Sequence, residues 1–237
     1  MLLVSEPFVY GLTVFALLTE VSAWWFRYVG ENYHRLSREL MRRAMLQDAF
    51  GQLSETLDVT DLLHKFDTLK QKAKQLDENF FYNGYYDSGK DKGTARLLEN
   101  LQQSAFWSKH LFDIAARRVL LPLGIISLLV AVVVFFIAPV AFNVTVSFTP
   151  KIIMLFLAFV IADELSFALA WLMAAKRSEV LDLRLEGKTN LNDPPQDFLL
   201  ATFADYCVLT AAAPPLSDRI YKSERERLNR LWQDRIK

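Results

Sequence analysis

Cysteine is almost absent: Cys207 stands alone in 237 residues, so one copy of the chain can form neither a disulfide nor a cysteine-built metal framework. Histidine is nearly as scarce. His34, His64 and His110 lie far apart in the sequence, and none has the H-E-x-x-H or a comparable ligand spacing. They read as ordinary surface or capping residues, and no metal, cofactor or catalytic constellation is expected. Charge of either sign in excess is lacking too, with 27 basic residues against 27 acidic ones. That balance removes the basic footprint on which direct nucleic-acid binding depends. No stretch alternates polar and apolar residues as a strand would, so the chain reads as all-helical.

What the sequence does have is apolar residues, 52% of the total, with most of the excess in three blocks, Phe8–Phe26, Val119–Phe142 and Ile152–Ala175. The middle block, VLLPLGIISLLVAVVVFFIAPVAF, runs 24 residues without a charge, against roughly 20 needed to cross a bilayer core. The third has the length but carries Asp163 and Glu164 in mid-span, where facing lipid is costly, so both acids should turn toward protein or water. The first contains Glu20 and ends in Trp24-Trp25-Phe26, a cluster suited to headgroup depth. A signal peptide is the competing reading of this block, but Met1 to Phe8 has no basic residue and no small-x-small cleavage site follows. The expected architecture is an all-α membrane protein of three transmembrane helices, or four if residues 198–213 enter the bilayer, with a helical bundle on one side.

Lys and Arg set the orientation. Arg27, Arg35, Arg38, Arg42 and Arg43 follow the first block, Arg117 and Arg118 precede the second, and Lys176 and Arg177 follow the third, whereas the link 143–150 and the N-terminus are nearly free of basic residues. The positive-inside rule then divides the chain into a first transmembrane helix (1–27), a cytoplasmic helical region (28–118), a transmembrane hairpin (119–175) and a C-terminal cytoplasmic helical region (176–237). The N-terminus lies outside an inner membrane. Asn143-Val144-Thr145 fits a glycosylation sequon, which a short link against the bilayer makes a chance match.

The cytoplasmic regions carry helical periodicity. Leu62, Phe66, Leu69, Ala73, Leu76 and Phe80 recur at spacings of 4 and 3, a seam of coiled-coil type, and Leu46, Phe50, Leu53 and Leu57 carry the same rhythm. The first helix is therefore expected to run inward to about Leu57, with Asp58 or Thr60 capping the next. Leu97, Leu98, Leu101, Ala105, Phe112 and Ala115 mark a helix that enters the second span without a breaker, since Pro122 lies within the apolar run, where membrane helices tolerate it. The third span continues to Gly187 as a C-cap, Pro194-Pro195 forms a loop, and FLLATFADYCVLTAAA ends at Pro214-Pro215. Those 16 residues are short for a span and read as a buried helix, with a membrane segment as the alternative. Ser217 or Asp218 caps a last charged helix that docks Ile220, Leu228, Leu231 and Trp232.

Two features remain. Asp163 and Glu164 are adjacent, so on a helix they point about 100° apart and cannot form a facing carboxylate pair within one chain. They and Glu20 either bond to neighbouring helices or line a pore in an oligomer. The stretch NGYYDSGKDKGT contains GYYDSGK, which fits a phosphate-cradling G-x-x-x-x-G-K pattern until Asp91 stands where Ser or Thr should bind magnesium. No strand precedes it, so a nucleotidase loop is excluded. It reads as a flexible hinge, or as a site where Tyr85, Tyr86, Lys90, Lys92 and Arg96 bind a small anion at a helix start.

Two segments, DENFFYN with RLLENLQQSAFWSKHLF and APPLSDRIYKSERERLNRLW, resemble prokaryotic membrane effectors encoded beside nucleotide-signalling enzymes in anti-phage defence, especially the four-transmembrane family associated with SMODS nucleotidyltransferases. The resemblance implies a membrane disruptor held silent until a cyclic nucleotide or a cytosolic sensor protein triggers homo-oligomeric assembly in the lipid bilayer. The chain departs from that family in having three firm spans where the family has four. The expected function is a non-enzymatic membrane effector, the alternative a membrane anchor or scaffold that recruits a cytosolic partner.

Overall fold

The computed structural model describes residues 6–51, 86, 88–132, 148–188, 191 and 193–236. Among them every regular element is helical: α1 (Glu6–Phe50), α2 (Thr94–Val132), α3 (Phe148–Glu186), α4 (Gln196–Ala212) and α5 (Asp218–Ile236). The seam from Leu62 to Phe80, the caps Asp58 and Thr60, His64, Tyr85 and the sequon at Asn143 lie outside the described residues. Among the described residues one helix, α2, is long and apolar enough to cross a membrane, against the three spans expected from the sequence.

Helix ends follow local chemistry. The first helix stops at Phe50, short of the expected Leu57, because Gly51 takes a positive φ of 82° and its N–H closes onto the Gln47 carbonyl at 2.8 Å. A glycine there ends a helix without Cβ strain. At the end of α3, Gly187 follows Glu186 as expected, but the closing bond runs from the Lys188 N–H to the Leu185 carbonyl at 2.9 Å. Ser217, rather than Asp218, caps α5: its hydroxyl accepts the Arg219 N–H at 3.3 Å. Pro122 sits inside α2 without ending it.

The chain divides into two compact units, each drawn from several segments. The first comprises Met1–Ser37, Ser108–Arg177 and Ala211–Lys237, and the second Arg38–Trp107 and Ser178–Thr210. The second unit is built around the start of α2, whose Leu97, Leu98, Leu101, Ala105 and Phe106 are buried with Met45 and Ala49 of α1, Leu181 and Leu185 of α3, and Leu199, Tyr206 and Leu209 of α4. Polar residues on the same stretch of α2, Asn100, Gln102, Gln103 and Ser104, are buried as well.

The first unit reverses that pattern. Its buried residues are mainly small or aromatic, among them Ala115, Ala116, Ala168, Ala174, Phe112 and Trp232. Many of its large apolar side chains point outward: Leu121 is 72% exposed and Leu128 66%, with Phe15, Leu18 and Val21 of α1 similarly placed. Alanines let helices approach closely when no large side chain intervenes. Along α2 alone, therefore, the polar LENLQQS stretch is covered and the apolar LLPLGIISLL stretch is uncovered, the reverse of a helix whose surroundings are water throughout.

Candidate functional site

Arg27 closes the apolar block of α1, and its side chain crosses to α3. One guanidinium nitrogen pairs with Asp163 Oδ2, the other lies 3.2 Å from Glu164 Oε1, and the plane stands 5.0 Å from the ring centre of Phe167. Adjacent helical carboxylates diverge, but the planar fork of arginine offers donors in two directions and reaches both. Phe167, one turn beyond Asp163, adds its π face to the same cation. Glu20, seven residues before Arg27 on α1, lies within electrostatic reach of it. The cluster thus brings together two of the three acids that the sequence singles out in the apolar blocks, Asp163 and Glu164, around a cation that the sequence marks only as an orientation signal. The available clue was arithmetic: Arg27 is the first base after an apolar block, and Asp163 and Glu164 are acids within another.

Next to this cluster α1 and α3 form a groove. Its volume is about 370 Å³, and its walls are Glu31, His34 and Arg35 of α1, Ser166, Phe167 and Ala170 of α3, and the strap from Ala211 to Pro215. The strap is tied to both helices. His34 Nε2 meets the Ala213 carbonyl and Trp171 Nε1 donates to the Pro214 carbonyl, each at 3.2 Å. Prolines 214 and 215 lack N–H groups, so the strap presents carbonyls without amide donors of its own there. His34 is seven residues past Arg27 and Trp171 eight past Asp163, so the two contacts show that α1 and α3 run in the same direction.

The candidate anion site lies in the second unit and is already knitted together. Arg96 donates to both oxygens of Asp48, at 2.8 and 2.9 Å, and to the Lys90 carbonyl at 3.0 Å; Asn100 donates to Asp48 at 2.7 Å. Arg96 is therefore paired with a carboxylate of the protein itself. Burial pushes the Asp48 carboxyl up, but the hydrogen bonds from Arg96 and Asn100 and the charges of Arg96 and Lys92 outweigh it and hold the group below its ordinary value. Tyr86 is buried, Lys92 is exposed with its Nζ close to Gly51, and the Lys90 N–H donates to the Ser88 hydroxyl at 3.3 Å. Gly93 donates its N–H to the Ala49 carbonyl at 2.8 Å and its carbonyl opens α2 by accepting from Leu97. The described part of this stretch is a turn docked on the end of α1, where the sequence suggested a flexible hinge.

Elsewhere in the first unit, Arg118 donates to Ser223 at 3.2 Å and Glu224 at 3.3 Å, fixing α5 at the residue that precedes the apolar run of α2. Among the described residues no group of three His, Cys, Asp or Glu side chains is placed to hold a metal ion. The chain matches no protein-family model, no curated protein and no solved structure.

Proposed function

We propose that the chain is a multi-pass membrane effector whose first unit embeds in an inner membrane and, on a cytoplasmic trigger, assembles with further copies and permeabilises the bilayer. The observation that carries this reading is the single guanidinium of Arg27 holding both Asp163 and Glu164 of α3. Acids within apolar helices are costly and persist where they serve a path or a packing contact. Here both depend on one partner on another helix. A shift of α1 against α3 frees them together, and in an assembly of several copies the freed carboxylates form a polar ring. The outward-facing Leu121, Ile125, Leu128 and Leu129 of α2 and Phe15, Leu18 and Val21 of α1 supply the lipid-facing surface that such an effector needs. The parallel course of α1 and α3 agrees with spans that both enter from the outside. The trigger falls in the class of a cyclic nucleotide or a cytosolic sensor protein.

Substitution tests this without knowing the trigger. Arg27→Ala removes the partner of both acids, so its expression alone is expected to lower membrane potential, read with a potential-sensitive dye. Adding Asp163→Ala and Glu164→Ala should abolish the effect. Intact potential with Arg27→Ala inserted at wild-type levels overturns the reading.

A second reading, a membrane anchor that recruits a cytosolic partner, is favoured by the outer face of α4, where Leu200 and Val208 are 62% and 67% exposed. It predicts that Asp163→Ala with Glu164→Ala leaves function intact, while polar substitution of Leu200 and Val208 removes it.

A further inference from the structure

We infer that the groove between α1 and α3 is a binding site for a phospholipid with a zwitterionic, ethanolamine-type headgroup. The inference rests on the proposal that the first unit embeds in a membrane, and it adds a ligand to that unit.

Depth is the first argument. On α1 the apolar block ends in Trp24 and Trp25, Tyr28 follows, and Trp24 stacks on Tyr28 with ring centres 6.1 Å apart. Such aromatic residues settle at the boundary between hydrocarbon and headgroups. Glu31 and Arg35 lie four and eight residues beyond Arg27, so at 1.5 Å per residue they stand about 6 and about 12 Å further along the axis. The headgroup layer extends roughly 5 to 8 Å beyond the hydrocarbon edge on each side, so the polar wall on α1 falls within it and just past it, while the facing wall, Ser166, Phe167 and Ala170, belongs to the apolar block of α3.

Chemistry is the second. The walls carry one acid, Glu31, and one permanent base, Arg35, with the half-buried His34 between them in sequence. The acid and base stand 3.8 Å apart, at the edge of ion pairing, with side chains 53% and 75% exposed. A pair this long and this wet contributes little to stability, so separating it to receive a ligand costs little. A headgroup that carries a phosphodiester and a primary ammonium matches the set. The guanidinium of Arg35 takes the phosphate through paired N–H donors, and the carboxylate of Glu31 takes the ammonium. An anionic glycerol headgroup would leave Glu31 facing a negative ligand, and a choline headgroup offers no N–H to it.

The remaining wall is apolar. Phe167, Ala170, Pro214 and Pro215 line the side opposite the charges, and the strap is anchored through His34 and Trp171. A volume of about 370 Å³ falls in the range of small-ligand sites and accommodates a headgroup with the glycerol that joins it to acyl chains.

The test uses the full-length protein in nanodiscs of phosphatidylcholine alone, or doped with phosphatidylethanolamine or phosphatidylglycerol, with retained lipid per protomer counted by native mass spectrometry. Retention of the ethanolamine lipid over either of the others by about tenfold is expected. Glu31→Gln should remove the preference over the choline lipid, and Arg35→Gln should lower retention of all three, with Arg35→Lys restoring part of it. Both positions are exposed, so helical content by circular dichroism should match wild type. Equal retention of the three lipids, or variants that retain the ethanolamine lipid like wild type, overturns the inference. So does displacement of that lipid by millimolar glycerophosphoethanolamine, which would assign the groove to a soluble phosphodiester. Dye leakage from the same lipids as vesicles keeps the two proposals apart: leakage without lipid selectivity sinks the lipid site alone, whereas failure to insert sinks both.

Discussion

Single side chains here do their work by satisfying a charge far away in sequence. Asp48 is the clearest case. Three donor groups from Arg96 and Asn100 converge on its two oxygens, and without Arg96 a partly buried carboxylate keeps only an amide. Arg96→Ala is expected to destabilise the second unit by about 2 kcal/mol, the cost of leaving such a group short of partners, measurable by thermal unfolding in detergent. The sign of the pH dependence follows. Asp48 has a folded value below its ordinary one, near 4, so its contribution is fully present above that value and is lost as pH falls through the folded value. Glu39 behaves in the same way: burial raises its carboxyl, and Arg42 and Arg43 more than offset the rise. The unfolding midpoint should therefore fall below about pH 4, and the fall should be shallower in Arg96→Ala. A midpoint flat with pH in the wild type would contradict this account.

At the scale of elements, the ends of the helices are decided by one or two residues each. Gly51 combines a positive φ with a tight surrounding: a Cβ there would lie 2.8 Å from Lys92 Nζ. Lys92 can swing aside, so the backbone term dominates, and Gly51→Ala should cost about 1 kcal/mol. Ser217→Ala removes a helix cap and should cost about 1 kcal/mol as well, detected as earlier proteolysis within α5. Both are read against wild type by urea unfolding, and an unchanged midpoint in either would refute the assigned role. Periodicity in the sequence located α2 well, since Leu97, Leu98, Leu101, Ala105, Phe112 and Ala115 are all buried. For α5 it was partly right: Leu228 and Trp232 are buried, whereas Leu231 is 40% exposed. The end of α1 was misplaced because the heptad rhythm at Leu53 and Leu57 says nothing about the backbone angle at Gly51.

Over the whole molecule, what matters is which groups the two units place together. Each unit collects segments that are distant in the chain, and each contains one network that no local pattern announces. In the first, Arg27 meets Asp163 and Glu164 across 136 and 137 residues. If that contact holds the resting state, purified Arg27→Ala should leak dye from vesicles several-fold faster than wild type. The triple variant with both acids replaced should return to the wild-type rate. Equal leakage from all three proteins would remove the cluster from the mechanism.

The sequence by itself determined the helical character of the chain, the apolar run of α2, the Pro-marked breaks around α4 and the shortage of metal and nucleophile patterns. These follow from short-range physics: the 3.6-residue period, backbone preferences at glycine and proline, and the length of an uncharged run. It also singled out Glu20, Asp163 and Glu164, because a carboxyl among apolar residues is conspicuous wherever the chain goes. Only the tertiary structure decided that Arg27 joins Asp163 and Glu164, that Asp48 pairs with Arg96, and that a proline strap and two parallel helices enclose a groove. Those outcomes depend on which helices pack side by side and in which direction. A side chain several ångströms long can choose its partner only after that packing has placed the candidates within reach.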